Sequence, residues 1–465
     1  MGAASTKCSN PLLMFVCEAR AGTIESRAMS ESSEAMIVDG QTRRLAPAAQ
    51  SRHAVATTAR PAIELAIYDD LQAVEDEWRR FEQSADCTVF QTFDWLSLWH
   101  RHVGKPAKVI PAIVLGRGGD GELLFLLPLA VVPGLVRRLT WLGSELCDYN
   151  APLLVTGFGN QVPPGHFREL WREICRALQR RAPYRYDIVE LTKMPEAVGT
   201  QVNPFLELDV GLNPSGAHLT RLYGTWEEFY QAKRSSATRR RDRTKRKRLA
   251  EFGEVRFFTP RDANDTALTL DTLIEQKSKS FARMGVANLF ARPGCQDFFL
   301  DLVTNPRTQH LVHVSRLEVG STRAAVNLGL TFRGCYYHVL ASYDDGEISR
   351  FGPGAAHLRD LMCHAIGLGC HTFDFTIGDE RYKTEWSDRT INLYDHVAPA
   401  SARGWPLAML ILTSRRLKRA IKQNPLLWSV VSRLRSAMAS KPAPAADDAS
   451  PPSNRVGKSP SIAPD

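Results

Sequence analysis

The chain has 465 residues, 44% hydrophobic and 23% charged, with 59 Lys and Arg against 50 Asp and Glu, a net charge of +9 and an isoelectric point near 9.1. That balance supports a packed core, excludes a wholly disordered chain, and favours phosphate-bearing or polyanionic partners. Nine cysteines without a Cys-x-x-Cys pair argue against a disulfide scaffold or zinc ribbon and for a reducing, cytoplasmic setting.

Residues 1–60 are dominated by Ala, Ser, Thr and Arg without periodicity and read as disordered. In the segment 61–215, Leu71, Val74, Trp78 and Phe81 share one face of a helix over 69–84. A second helix, 93–103, carries Trp95, Leu98, Trp99 and His102. Apolar strands at 108–115 and 122–132 flank Gly116-Arg117-Gly118-Gly119-Asp120-Gly121, a hairpin signal. A strand at 138–142 follows. Phe167, Leu170, Trp171, Ile174 and Leu178 then give helical spacing before a strand at 186–191.

The segment 216–402 repeats this order. Helical stretches are expected at 225–252, 262–281 and 296–303, and strands at 310–318, 323–332 and 335–343. A helix over 354–368 and a closing strand at 371–376 complete it. A meander, a Gly-rich turn, a helix and a strand, met twice, make an α+β chain of two similar halves. The apolar runs 123–132 and 406–412 fall short of the roughly 18 residues that span a bilayer. The run 11–17 is too short for a secretory signal.

The most informative stretch is Arg350-Phe351-Gly352-Pro353-Gly354-Ala355, where a loop opens into a helix. A helix N-terminus presents unpaired amides and partial positive charge, and glycine lets an anion come close. Arg350, Gly352, Gly354 and Ala355 are therefore candidates for a phosphate cradle. The plainer reading is a tight turn with Pro353 starting the helix. Downstream lie Phe373-Asp374-Phe375, Gly378 and Tyr382-Lys383. Asp374, between two aromatics, is expected to be buried and to brace a loop or pair with an Arg rather than react. Tyr382 and Lys383 are candidates for the reacting end of a site, or for exposed loop positions. Asp344, His338 and Glu385 are candidate bases, His338 reading better as a core histidine. No Cys-His or Ser-His-Asp arrangement points to a covalent intermediate. His357, Cys363, His364, Cys370 and His371 match no standard ligand spacing, and no metal is expected.

Four segments in order carry a resemblance: Phe90-Gln91-Thr92-Phe93-Asp94-Trp95-Leu96; Trp141-Leu142-Gly143-Ser144 with Asp148-Tyr149; Tyr343-Asp344 with Gly352-Pro353-Gly354; and Phe373-Asp374-Phe375 with Gly378 and Tyr382-Lys383. Together they resemble the BioF-like/CelD-like acetyltransferases of the GNAT superfamily, relatives of the FemAB peptidyltransferases, over most of 61–400. The resemblance implies two tandem GNAT-like domains with mixed sheets flanked by helices. It also implies an acyl-CoA donor such as acetyl-CoA, a small-molecule or sugar-linked acceptor, and a setting in cellulose, exopolysaccharide or envelope biosynthesis. It assigns the donor cradle to Arg350, Gly352 and Gly354. The loop departs from the usual Gln/Arg-x-x-Gly-x-Gly/Ala form, being one residue shorter and carrying Pro353, which lacks an N–H.

Two basic stretches remain. The run 239–248 holds eight Lys or Arg in ten residues, which reads as a solvated helix face or a polyanion contact such as tRNA, with nucleic acid not favoured. Segment 403–438 mixes Leu, Ile and Trp with Arg and Lys. It either packs on the body or rests peripherally on an anionic membrane. The tail 439–465 is Pro-, Ala- and Ser-rich and reads as disordered. Three functions stay open: a CoA-dependent acyltransferase, a FemAB-like aminoacyltransferase using charged tRNA, and a non-catalytic scaffold of a polysaccharide synthase.

Overall fold

The computed structural model describes residues 63–423. The stretches 1–60 and 439–465, and most of the basic segment after Gln423, lie outside the described residues.

β1 (Glu64–Tyr68) leads into α1 (Glu75–Ser84) and α2 (Phe93–Trp99), which continues as a π-helical turn to Gly104. β2 (Ile110–Arg117), β3 (Leu123–Val132) and β4 (Arg138–Trp141) form the expected meander, with a short β5 (Leu153–Leu154) against β3. α3 (Phe158–Gln161) and α4 (Phe167–Arg180) precede β6 (Ile188–Pro195), the small hairpin β7 (Ala197–Val198) and β8 (Gln201–Val202), and β9 (Val210–Leu212). The second half opens with β10 (Ala217–Arg221), α5 (Trp226–Lys233), α6 (Ser236–Ala250), β11 (Val255–Phe258), α7 (Ala263–Arg283) and α8 (Cys295–Thr304). Its meander is β12 (Val312–Val319), β13 (Thr322–Phe332) and β14 (Cys335–Tyr343). α9 (Pro353–Gly367), β15 (Thr372–Ile377), α10 (Arg381–Trp386), β16 (Arg389–Ile391), β17 (Leu393–Pro399) and α11 (Gly404–Gln423) complete the described chain.

The single helix expected over 225–252 is two. Thr225 and Glu228 form a reciprocal capping box for α5. Arg234 is extended, and the Ser235 hydroxyl accepts from the Thr238 N–H to start α6.

The two sheets run β1-β2-β3-β4-β6-β17-β9 and β11-β12-β13-β14-β15-β10-β16. In each, the strands are antiparallel except for one parallel pair, β4–β6 and β14–β15. The strand beyond that pair comes from the second half in both sheets. β17, at the end of the second half, completes the first sheet against β6, whereas β10, at the start of the second half, completes the second sheet against β15. The spatial division therefore departs from a cut at 215/216: residues 393–399 belong to the first sheet.

One hydrophobic cluster spans both halves and includes Trp78, Phe90 and Trp95 from the first and Phe298, Leu302 and Tyr337 from the second. Trp95 meets Phe298 edge-on at 5.1 Å, and Phe90 meets Tyr337 at 5.9 Å. Each such side chain, fully buried, contributes about 2–3 kcal/mol. The shared core fixes one half against the other and so fixes the cleft between them.

Candidate functional site

β14 and β15 are paired over three residues only: Cys335–Thr372, Tyr336–Phe373 and Tyr337–Asp374. Beyond Tyr337 the strands separate. A bulge opposite Leu328/Gly329 puts an extra residue into β14 at the point of separation, and another opposite His218/Leu219 does so in β15. Such extra residues leave the regular ladder and re-aim the strand. The gap opens into a cleft of about 880 Å³ lined by 338–343 of β14, Thr376–Gly378 at the end of β15, α10, the first turn of α9, and Glu145, Leu146 and Asp148 of the first half.

Gly354 and Ala355, in the first turn of α9, line this cleft. Their N–H groups have no intrahelical acceptor. Gly352 sits before them at φ +68°, a left-handed conformation that glycine adopts freely, and Pro353 fills the first helical position, where no N–H is needed. A Cβ on Gly352 would meet nothing closer than the Lys245 ammonium at 3.8 Å. Arg350 is not among the lining residues. Its guanidinium is exposed, pairs with Glu347 at 3.0 Å and lies over Phe351. The cation beside the cradle is instead Lys245 of α6, while Lys277 of α7 and Arg234 line the cleft. Arg234 stacks 4.7 Å over Trp386 and reaches Glu385 at 3.4 Å, and its buried Nε has no hydrogen-bond partner among the described residues.

Tyr382 and Lys383 also line the cleft. Lys383 is buried rather than free in a loop: its ammonium donates to the Ile377 carbonyl at 2.7 Å and pairs with Glu380 at 3.2 Å. Gly378, at φ +133°, lies over it, and a Cβ there would stand 2.9 Å from the ammonium. Tyr382 packs against His338 and Phe375. Asp344 is not a lining residue. Its carboxylate accepts from the Gly346 N–H at 2.9 Å and shapes the turn after β14. Of the other candidate bases, Glu385 lines the cleft. His338 lines it too, but burial pushes its pKa down to about 3, so it stays neutral near neutrality. Asn327 holds it when its amide donates to His338 Nε2 at 3.2 Å and its oxygen accepts from Tyr336 at 2.8 Å.

Two of the motifs meet beneath the cleft. The Tyr149 hydroxyl donates to both Asp374 oxygens, at 2.8 and 3.0 Å. Asp374 also accepts from the Thr376 N–H at 2.7 Å and so holds Thr376 at φ +60°, a strained conformation for a β-branched residue. Asp374 thus braces a loop, as expected, with a Tyr as partner rather than an Arg. Burial raises its carboxyl to about 6, against the lowering effect of those two donors. Behind Tyr149, Gln91 of the first motif donates to its carbonyl at 2.8 Å, and Trp78 donates to the Gln91 carbonyl at 3.0 Å.

Sequence reasoning placed Asp148 in a motif but gave it no site role, and it missed Lys193 and Arg234. Asp148 lines the cleft from the first half. Burial raises its carboxyl pKa, opposed by the nearby Lys193 and Lys383 charges. Lys193 is buried, holds φ +55°, and donates its ammonium to the Cys147 carbonyl; burial lowers its pKa. No cluster of three potential metal ligands exists among the described residues, and no described helix is long and apolar enough to cross a membrane.

Residues 236–384 match the family model of the acetyltransferase (GNAT) domain. The fold is a tandem of two GNAT-like domains. A crystal structure of FemX superposes with a TM-score of 0.50 at 11% identity, covering 75% of this chain and 99% of that one. A tandem GNAT protein from the clavulanic acid biosynthesis pathway (12% identity, 73% and 99% covered, TM-score 0.38) is also similar. So is Saccharomyces cerevisiae N-myristoyltransferase with bound myristoyl-CoA (11%, 73% and 84%, TM-score 0.39). No curated protein sequence matches the chain.

Proposed function

We propose that the chain is an acyltransferase that moves an acyl group from an acyl-CoA thioester to an amine or hydroxyl held in the cleft between its halves. The observation carrying this reading is that the β14–β15 separation and the free amides of the α9 N-terminus open on the same cleft. The donor diphosphate rests on the Gly354 and Ala355 N–H groups, with Lys245 as the neighbouring cation and Arg234 lining the cleft. The pantetheine arm runs into the gap between the strands. Backbone N–H groups of β14 near its bulge face the thioester oxygen as negative charge develops there.

The acceptor attacks the thioester carbon directly. Its proton passes to a carboxylate, the carbon–sulfur bond breaks, and CoA leaves as the thiol after taking up a proton. We assign the base to Asp148, which lines the cleft and whose carboxylate burial makes a stronger proton acceptor than an exposed one. Lys383 and Tyr382 shape the reacting end from α10. The BioF-like/CelD-like motif order supports an acceptor from polysaccharide or envelope biosynthesis.

A FemAB-like aminoacyl transfer has one observation in its favour. Arg239, Arg240, Arg241, Arg243, Lys245 and Lys247 of α6 make no ion pair among the described residues, and this helix reaches the cleft wall through Asp242. Thermal-shift titration with acetyl-CoA, longer acyl-CoAs and aminoacyl-tRNA separates the readings. Stabilisation by acyl-CoA alone supports the first, and stabilisation by charged tRNA alone overturns it in favour of the second.

A further inference from the structure

α11 packs on the first sheet through Ala408 and Ile411, in a cluster with Ile188, Val397 and Val136. Its opposite side is apolar as well, with Trp405 58%, Leu410 63% and Leu417 60% exposed and Met409 44%. A surface helix normally turns a polar face outward, so this one is left with a second apolar face that no other described residue covers. Leu135, at the tip between β3 and β4, is 93% exposed, and its neighbour Val136 belongs to the cluster beneath α11. Two separate elements therefore present large apolar side chains at one corner of the molecule.

Charge selects the occupant. From His396 to Ala446 the sequence contains no Asp or Glu and nine Lys or Arg. Arg415, on the packed side of α11, is spent on Glu190 and Asp395 of the body. Arg416 stands exposed among the apolar side chains, and Arg419 makes no ion pair among the described residues. A second copy would bring the same positive surface and be repelled. An anionic bilayer supplies the complementary charge and takes up the apolar side chains, and Trp favours the headgroup level.

We infer that this corner, Leu135 with the outer face of α11, is a peripheral attachment site for a membrane rich in anionic lipid. Attachment would hold the cleft close to lipid-linked acceptors, but the inference stands without the acyl-transfer reading, because its test needs no donor.

The test is flotation of the full chain with vesicles of phosphatidylcholine containing 30% phosphatidylglycerol, or of phosphatidylcholine alone. The protein is expected to float with the anionic vesicles and to release as salt is raised. Trp405→Asp/Leu410→Asp should weaken binding by at least about tenfold, and Leu135→Asp by a few-fold. These side chains are exposed, and unchanged thermal melting shows that the variants fold. No flotation with anionic vesicles overturns the proposal. So does a dimer of the wild-type chain that Trp405→Asp/Leu410→Asp dissociates, which would make the face a contact between copies. Vesicle binding unchanged in Trp405→Asp/Leu410→Asp and Leu135→Asp but lost on deleting 424–465 also overturns it.

Discussion

Asp374→Asn tests the brace that joins the two halves beneath the cleft. The Asp374 carboxyl is fully enclosed and carried from 3.8 to about 6, with burial as the main cause. At about 1.36 kcal/mol per pH unit, that rise costs the folded state about 3 kcal/mol once the group is ionised. The sign follows from the folded value lying above the unfolded one. The stabilising contribution is fully present below pH 3.8 and is lost as pH rises through 6. About half of the loss falls between pH 5 and 7.5, the window in which unfolding can be compared. Asparagine keeps an oxygen to accept from Tyr149 and from the Thr376 N–H but carries no charge. Urea unfolding followed by circular dichroism should therefore show the variant gaining about 1 kcal/mol on the wild type between pH 5 and 7.5. A difference that stays flat with pH, or that falls as pH rises, would refute the assignment of a raised carboxyl at this position.

Tyr149→Phe removes one donor from the same buried carboxylate and should cost about 2 kcal/mol at pH 7.5, with a smaller loss at pH 5; equal losses at both pH values would contradict the charge-assisted bond. Gly354→Glu should weaken acetyl-CoA binding by at least about tenfold in calorimetry while the helix holds, since an acidic side chain is favourable in a first turn. Arg350→Glu should change that affinity by less than about threefold, because the Arg350 guanidinium is turned to Glu347 and solvent; a loss equal to that of Gly354→Glu would return Arg350 to the cradle. Asp148→Asn should lower kcat by about 10²–10⁴ and abolish the acid limb of the pH–rate profile, and an intact limb would exclude Asp148 as the base.

The regular elements were legible because their apolar periodicity is strong. Trp78 and Phe81 on α1, and Leu170, Trp171 and Ile174 on α4, sit where the spacing puts them. The break at Arg234-Ser235 was carried by the Ser cap, a local signal outweighed by the helix-favouring residues on both sides. The strands beyond the two parallel pairs, β10 and β17, were not legible. β10 is five residues, and β17 reads Leu-Tyr-Asp-His-Val-Ala-Pro, with polar residues paid for by distant partners such as Asn213 and Arg415. Within the site, the proline and glycines marked the start of α9 and so Gly354 and Ala355. They could not tell on which side of the turn Arg350 would stand. Arg234 carries no local signal, and the motif around Asp148 gives it no role. They matter because a core shared by two distant segments places them on one cleft.

Hydrogen–deuterium exchange with and without acetyl-CoA tests the central claim most directly, since the cradle is made of backbone amides. Protection is expected over 353–358 at the start of α9 and over 338–343 of β14, with little change in the first sheet. Protection confined to other segments, or none at saturating acetyl-CoA and longer acyl-CoAs, would contradict the donor site described above.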